Sequence, residues 1–348
     1  MRIALAHSHA RTLGGGERAV LEVARRLSDH HQVRLLLGSF VRGLTYPELA
    51  GFPHARLGRL AWPLAAVPDD AVLANTFGAN LLSLRNGSRV GYWVHSVRSV
   101  FLARGGARPD LIARRVLDWL AVRRTGQLVA NSHYTAARLR RLYGREPDWV
   151  VYPGVDLELF QPSDLRQSNG FAITVGRLAI EKGLDRLLDL WRELPDLPLH
   201  VVGAGTPELV RHLRARAPSQ VVFRGPMPPD AVAAAYRQAY LAVFAPRGEE
   251  FGIAPLEAMA SGLPVVAWRD GGLLETVVEG ETGFLALDEV TFRQRVRLLM
   301  HDLDLRRQLG QQARVRAEQF SWDRTSAALE VVCDRLARSR PPGRSAQR

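Results

Sequence analysis

Short unbroken apolar runs punctuate the first half of the chain: RIALA (2–6), QVRLLL (32–37), AVLA (71–74), RVGYWV (89–94), QLVAN (127–131) and WVVY (149–152). Between them lie longer stretches whose apolar residues return every three or four positions, most clearly ERAVLEVARRL (17–27). Apolar runs alternating with helical periods predict parallel strands joined by helices, a sheet covered on both faces. The Gly- and Pro-containing segment 38–68 fits neither period. The polar, turn-rich stretch DLELFQPSDLRQSNG (156–170) then interrupts the alternation and predicts an interdomain linker. The second half restarts with FAITVG (171–176), LHVVG (199–203), VVFRG (221–225), LAVFAP (241–246), PVVAW (264–268) and GFLAL (283–287). From about residue 289 the pattern is helical to 337, and the tail SRPPGRSAQR (339–348) has too little apolar surface to order.

The expected class is therefore α/β: two Rossmann-like, doubly wound parallel-sheet domains. Their expected limits are 1–160 and 161–318, followed by a C-terminal helix over 319–337 and a disordered tail over 338–348. In such sheets, ligands bind beyond the carboxyl ends of the strands. Gly15, His95, Arg177, Gly203 and Glu249 each follow a predicted strand. Two such edges facing each other would form a cleft.

Composition narrows the class. A length of 348 residues, 47% apolar and 24% charged, suits two soluble domains. No run reaches the ~18 apolar residues needed to span a bilayer. MRIALAHSHA is short and broken by His, so it reads as a buried first strand rather than a signal peptide. The single cysteine, Cys333, excludes an intrachain disulfide framework and fits a reducing cytoplasm. Of 47 basic residues only Lys182 is a lysine. Residues 1–155 hold 22 Arg against 10 Asp and Glu, whereas the rest of the chain is balanced.

Within this basic half, ARPDLIARRVLDWLAVRRTG (107–126) combines Leu, Ile, Val and Trp with Arg114, Arg115, Arg123 and Arg124. It reads either as a half-buried helix with a solvated Arg face or as a segment resting on anionic lipid. An anionic membrane surface is thus a candidate partner. Nucleic acid is not expected, because no recognised binding motif interleaves these arginines.

The most informative stretch is VFAPRGEEFGIAPLEAMASGLPVV (243–266). Glu249 and Glu257 stand eight positions apart, with a Gly-containing turn and a helix start between them. Pro255 suits a first helical turn and Gly262 the position just past the end. Phe251, Gly252 and Ile253 would lie at the positive helix end, where an anion is favoured. A ligand with hydroxyls at both ends and a phosphate in the middle, such as a sugar nucleotide, fits this arrangement. Breaking a sugar–phosphate bond leaves charge on a diphosphate, for which Arg177 and Lys182 are the candidate cations. Lys182 is expected to start the amphipathic helix KGLDRLLDLWREL. The Gly14–Gly16 loop would either let backbone approach a diphosphate or an acceptor closely, or form a plain tight turn.

The stretch resembles the Glu, seven residues, Glu signature of retaining glycosyltransferases of family 4, which have the GT-B fold. Further similar pieces follow in the family's order: Gly14-Gly15-Gly16-Glu17, Trp93-Val94-His95-Ser96, Pro153-Gly154-Val155-Asp156, Val175-Gly176-Arg177-Leu178, Glu181-Lys182-Gly183, Val201-Val202-Gly203-Ala204-Gly205 and Phe320-Ser321-Trp322. The resemblance spans residues 14 to 322.

It implies retaining, metal-independent hexosyl transfer, with front-side substitution, from a UDP- or GDP-sugar to a glycan or lipid-linked acceptor in bacterial surface polysaccharide synthesis. It also implies a cytoplasmic enzyme, peripheral on the inner membrane face if the basic half meets lipid. Glu249, His95, Arg177 and Lys182 are then the catalytic candidates, with no cofactor. Arg177, Lys182, Glu257 (on the ribose), Glu249 (on the sugar), Phe251, Gly252, Ile253, Gly15 and Gly203 would bind donor; Gly14, Gly16 and His95 would meet acceptor. His95 would position and polarise. The helix after Trp322 would cross back onto the first domain.

Four other classes are weaker. The triplet Asp302-Leu303-Asp304 lies in a late helical region, away from the early strand end that a metal-dependent transferase needs. GAGTPE (203–208) lacks the third glycine of a nicotinamide motif. A pyridoxal enzyme needs a Schiff-base lysine, and Lys182 sits in a different motif. A catalytically weak nucleotide-sugar-binding or scaffolding partner is the non-enzyme alternative.

Overall fold

The computed structural model describes residues 1–11, 14–41, 43, 45–58, 60–97, 109–163 and 170–339, with 109–111 by backbone alone. The tail beyond 339, residues 164–169 of the expected linker, and 107–108 of the Arg-rich segment lie outside them. The chain divides into two compact units, Met1–Pro153 with Trp322–Arg348, and Gly154–Ser321.

The first unit holds seven parallel strands: β1 (Arg2–His7), β2 (Gln32–Leu37), β3 (His54–Arg56), β4 (Ala71–Ala74), β5 (Val90–Val94), β6 (Gln127–Ala130) and β7 (Trp149–Val150). Their order is β3-β2-β1-β4-β5-β6-β7, so the winding reverses between β1 and β4. Successive side chains of β1 serve opposite faces. Ile3 and Leu5 pack with Leu35, Leu73 and Trp93 beneath the helices Gly15–Leu27 and Trp322–Arg338. Ala4 and Ala6 pack on the other face with Val72, Tyr92, Val122 and Leu139. The C-terminal helix lies so close to β5 that a Cβ at Gly91 would stand 2.9 Å from Leu336.

The second unit holds six parallel strands: β8 (Ala172–Val175), β9 (Leu199–Val202), β10 (Val221–Gly225), β11 (Leu241–Phe244), β12 (Val265–Trp268) and β13 (Gly283–Ala286). The order β10-β9-β8-β11-β12-β13 reverses between β8 and β11. Both units are thus Rossmann-like, with ligand crevices expected at the two reversal points.

Three features differ from the sequence reading. The unit boundary falls ahead of residue 160, because 154–160 packs on the second unit: Phe160 lies against Tyr236 and Arg314 Nη1 donates to the Phe160 carbonyl. Segment 38–68 contains a 3-10 turn, Pro47–Gly51, and the edge strand β3, too short and too exposed to leave an apolar run. Lys182 does not start a helix. It closes a 3-10 turn, Ile180–Lys182, and the helix runs from Leu184 to Trp191 after Gly183 at φ +64°. A Cβ at Gly183 would stand 1.8 Å from the Ala245 carbonyl oxygen, so the β8 and β11 loops can approach only through glycine.

Candidate functional site

At the β8/β11 reversal point of the second unit, one cavity is lined by Gly176, Arg177, Lys182, Pro246, Glu249 and the helix start Gly252–Pro255. Lys182 Nζ donates to Glu249 Oε2 at 2.6 Å, with the two side chains 34% and 14% exposed. An ammonium carries three donors, so this contact leaves Lys182 able to bind a further oxygen. Arg177 is more open, 64% exposed, and donates to Glu181 at 3.0 Å.

Gly252, at φ +97°, precedes the helix Ile253–Ala260, and no side chain among the described residues caps it. Its first N–H groups therefore open on the cavity, at the positive end of the helix dipole. The helix stops in a Schellman arrangement: Gly262 N–H donates to the Met259 carbonyl and Leu263 N–H to that of Ala258.

Glu249, not its neighbour Glu250, meets Lys182 and lines the cavity; Glu250 is buried. Glu257 stands further along the helix, half-buried; burial of the Tyr236 phenol, and secondly the Glu257 charge, push that phenol well above its ordinary pKa. The Phe251 side chain is 2% exposed, its ring against Phe320, so it belongs to the core beneath the loop and not to the cavity wall. Gly203 serves the backbone: a Cβ there would stand 1.8 Å from the Gly176 carbonyl oxygen.

Several supporting residues carried no local signal. Arg247 forks onto Asp185 with two 2.8 Å bonds and donates through Nη1 to the Ile180 carbonyl, while its own N–H reaches the Glu181 carbonyl. The Arg247 bonds hold the Asp185 carboxyl below its ordinary pKa. Asp270 accepts from Gly248 N–H at 2.6 Å, and Gly272 N–H donates to the Glu249 carbonyl at 2.7 Å. A Cβ at Gly271 would stand 2.1 Å from that same carbonyl oxygen. The adjacent glycines in Arg269-Asp270-Gly271-Gly272 were the available hint. These bonds fix the backbone on either side of Lys182 and Glu249.

The other sequence candidates lie in the first unit. Gly14 caps the helix Gly15–Leu27 without a side chain, and Gly15 and Gly16 form its first residues. His95 follows β5, its ring 4.1 Å from that of Trp93. Burial, aided by His7, lowers the His95 pKa to about 3, so the ring is neutral at pH 7 and a weak base. No group of three His, Cys, Asp or Glu among the described residues could hold a metal ion.

Two family models match the chain: Glycosyltransferase Family 4 over residues 13–159 and Glycosyl transferases group 1 over 156–316. The D-inositol 3-phosphate glycosyltransferase of Corynebacterium efficiens is 31% identical over 273 residues, covering 69% of this chain and 64% of that protein. The enzyme of the same name from Acidothermus cellulolyticus is 34% identical over 274 residues, 70% of this chain and 61% of that protein. The chain spans less than two thirds of the length of these curated relatives.

Among solved structures, sucrose-phosphate synthase from Thermosynechococcus elongatus aligns with a TM-score of 0.81 at 20% identity, over 98% of this chain and 100% of that one. Anabaena HepE in complex with UDP-glucose aligns with a TM-score of 0.83 at 20% identity, over 96% and 99%. With models matched from residue 13 to residue 316 and two-domain neighbours aligned over nearly its full length, this chain belongs to the GT-B-fold glycosyltransferases.

Proposed function

We propose that the chain is a retaining glycosyltransferase of family 4 that moves a hexosyl unit from a UDP- or GDP-sugar to a glycan or lipid-linked acceptor, without a metal ion. The observation that carries this reading is the Lys182–Glu249 pair in one cavity with an uncapped helix N-terminus. As the sugar–phosphate bond breaks, charge grows on the leaving diphosphate. Lys182 Nζ and the N–H groups at Gly252–Ala254 would receive it, with the exposed Arg177 adding a cation at the rim. Glu249 would hold donor-sugar hydroxyls and Glu257 the ribose.

His95, neutral at pH 7, suits polarisation and positioning of a hydroxyl better than proton removal. Front-side substitution, in which the leaving phosphate takes the acceptor proton, needs no stronger base. The curated relatives named for inositol 3-phosphate and the HepE complex with UDP-glucose support a UDP-sugar donor and a polyol or glycan acceptor. Incubating the chain with a panel of UDP- and GDP-sugars, with EDTA and without, tests the reading. Anomer-retaining transfer or donor hydrolysis that survives EDTA is expected; activity abolished by EDTA and restored by a divalent cation would refute it.

The helix Pro109–Arg124 supports a cytoplasmic enzyme peripheral on an anionic membrane surface. Ile112, Val116, Leu117, Trp119 and Leu120 are exposed there, and Arg123 lies over the Trp119 ring at 4.7 Å. Flotation with anionic vesicles, but not neutral ones, is expected; equal partition would remove this part of the reading. No helix among the described residues is long and apolar enough to cross a membrane.

A further inference from the structure

The loops on either side of the second unit's cavity are joined by a charged fork, neither side chain of which lines the cavity. Arg247 follows β11 and Asp185 lies in the first turn of the helix Leu184–Trp191 after β8, so the two come from the strands that flank the reversal point. Arg247 Nη1 and Nη2 donate to the two Asp185 oxygens at 2.8 Å each, the bidentate geometry that a planar guanidinium suits. The same Nη1 donates to the Ile180 carbonyl at 3.1 Å, and the Arg247 N–H to the Glu181 carbonyl at 2.8 Å. The turn Ile180–Lys182 is thus held from another segment at two successive carbonyls, just before the residue whose Nζ meets Glu249. Its internal bonds, Lys182 N–H to the Ala179 carbonyl and Gly183 N–H to that of Ile180, are those of a single 3-10 turn, whose bond geometry is poor. The two side chains of the fork are 41% and 37% exposed, so as a surface ion pair it contributes little to global stability.

We propose that Arg247 and Asp185 are positioning residues for the donor diphosphate: their fork fixes the turn that carries Lys182 and so sets nucleotide affinity without touching the nucleotide. The inference rests on the donor reading for its ligand alone. Charge and position act in opposite directions at Asp185. As a charge, a carboxylate near the cavity repels a diphosphate, and neutralising it would tighten binding. As half of the fork it holds Arg247 in place, and neutralising it frees the turn and loosens Lys182. Arg247 separates the same two effects, because lysine there would keep the charge but lose the planar fork that reaches Asp185 and the Ile180 carbonyl together.

The test is calorimetry of the full chain with UDP and GDP for wild type, Asp185→Asn, Arg247→Lys and Arg247→Ala, with amide hydrogen exchange over residues 180–183 on the same proteins. Asp185→Asn is expected to weaken the nucleotide about fivefold, and Arg247→Lys nearly as much as Arg247→Ala. In a Lys182→Ala background, Asp185→Asn is expected to change affinity by less than about twofold, because the fork acts through Lys182. The Lys182 and Gly183 amides are expected to exchange faster in each fork variant, with little change in melting temperature. Equal or tighter nucleotide binding in Asp185→Asn, wild-type affinity in Arg247→Lys, a full Asp185→Asn loss without Lys182, or unchanged exchange at the turn would each overturn the inference. A wild-type chain that binds neither nucleotide would instead remove the donor reading, while the exchange rates still judge the fork.

Discussion

Lowering the pH should destabilise the first unit through His95, and the size of the effect follows from its surroundings. The ring is neutral in the folded chain because charging it would strand a cation beside His7 with no partner for Nε2 among the described residues. Its pKa is about 3 when folded and about 6.5 when unfolded, so the unfolded chain binds the extra proton between those values. Stability from this residue is therefore complete above pH 6.5 and is lost as the pH falls toward 3. Between pH 7 and pH 5 the full shift corresponds to about 2 kcal/mol. Since His95 is half-buried as a residue, about 1–2 kcal/mol is the expected range. His7, whose pKa is also lowered by burial, adds in the same direction. Denaturant unfolding of wild type and His95→Asn at pH 5, 6, 7 and 8, followed by tryptophan fluorescence, isolates the term, because the other titrating groups cancel in the difference. A wild-type curve whose pH slope matches that of His95→Asn would refute the reasoning, as would a titration of His95 by NMR near pH 6.5.

Three further outcomes are expected. Lys182→Ala should weaken UDP or GDP binding by about 1.5–3 kcal/mol, whereas Arg177→Ala, removing a cation 64% exposed, should cost at most about 1 kcal/mol by calorimetry. Undiminished binding in Lys182→Ala would place the diphosphate away from Lys182. Gly183→Ala should cost at least about 2 kcal/mol of stability in the second unit, since the residue has φ +64° and its Cβ would strike the Ala245 carbonyl; an unchanged melting temperature would contradict the close approach of the two loops. Cys333 is buried and its thiol is pushed up to about 12, so a thiol reagent should label the native chain only after denaturant is added.

The strands other than β3, and their ends, were legible because buried parallel strands leave unbroken apolar runs, and each run stops where the chain reaches the ligand edge; their order across each sheet was not. The Glu249–Glu257 stretch was legible because turn, helix start and helix end fall within one local segment. The supports were not. Arg247 meets Asp185, and Asp270 meets Gly248, across separate loops, and long-range pairing has no period in the sequence. Lys182 was misplaced onto a helix because KGLDRLL carries the right spacing, while the left-handed Gly183 that breaks it is dictated by the Ala245 carbonyl. His7 hid inside a strand-like run, and only the fold reveals Asn75 fixing its ring.

A crystal structure of the chain with a bound UDP- or GDP-sugar tests the central claim most directly. The diphosphate should lie within hydrogen-bond distance of Lys182 Nζ and the N–H groups at Gly252–Ala254, with the sugar hydroxyls on Glu249. A nucleotide found elsewhere, or a diphosphate held by a divalent cation with Lys182 uninvolved, would contradict it.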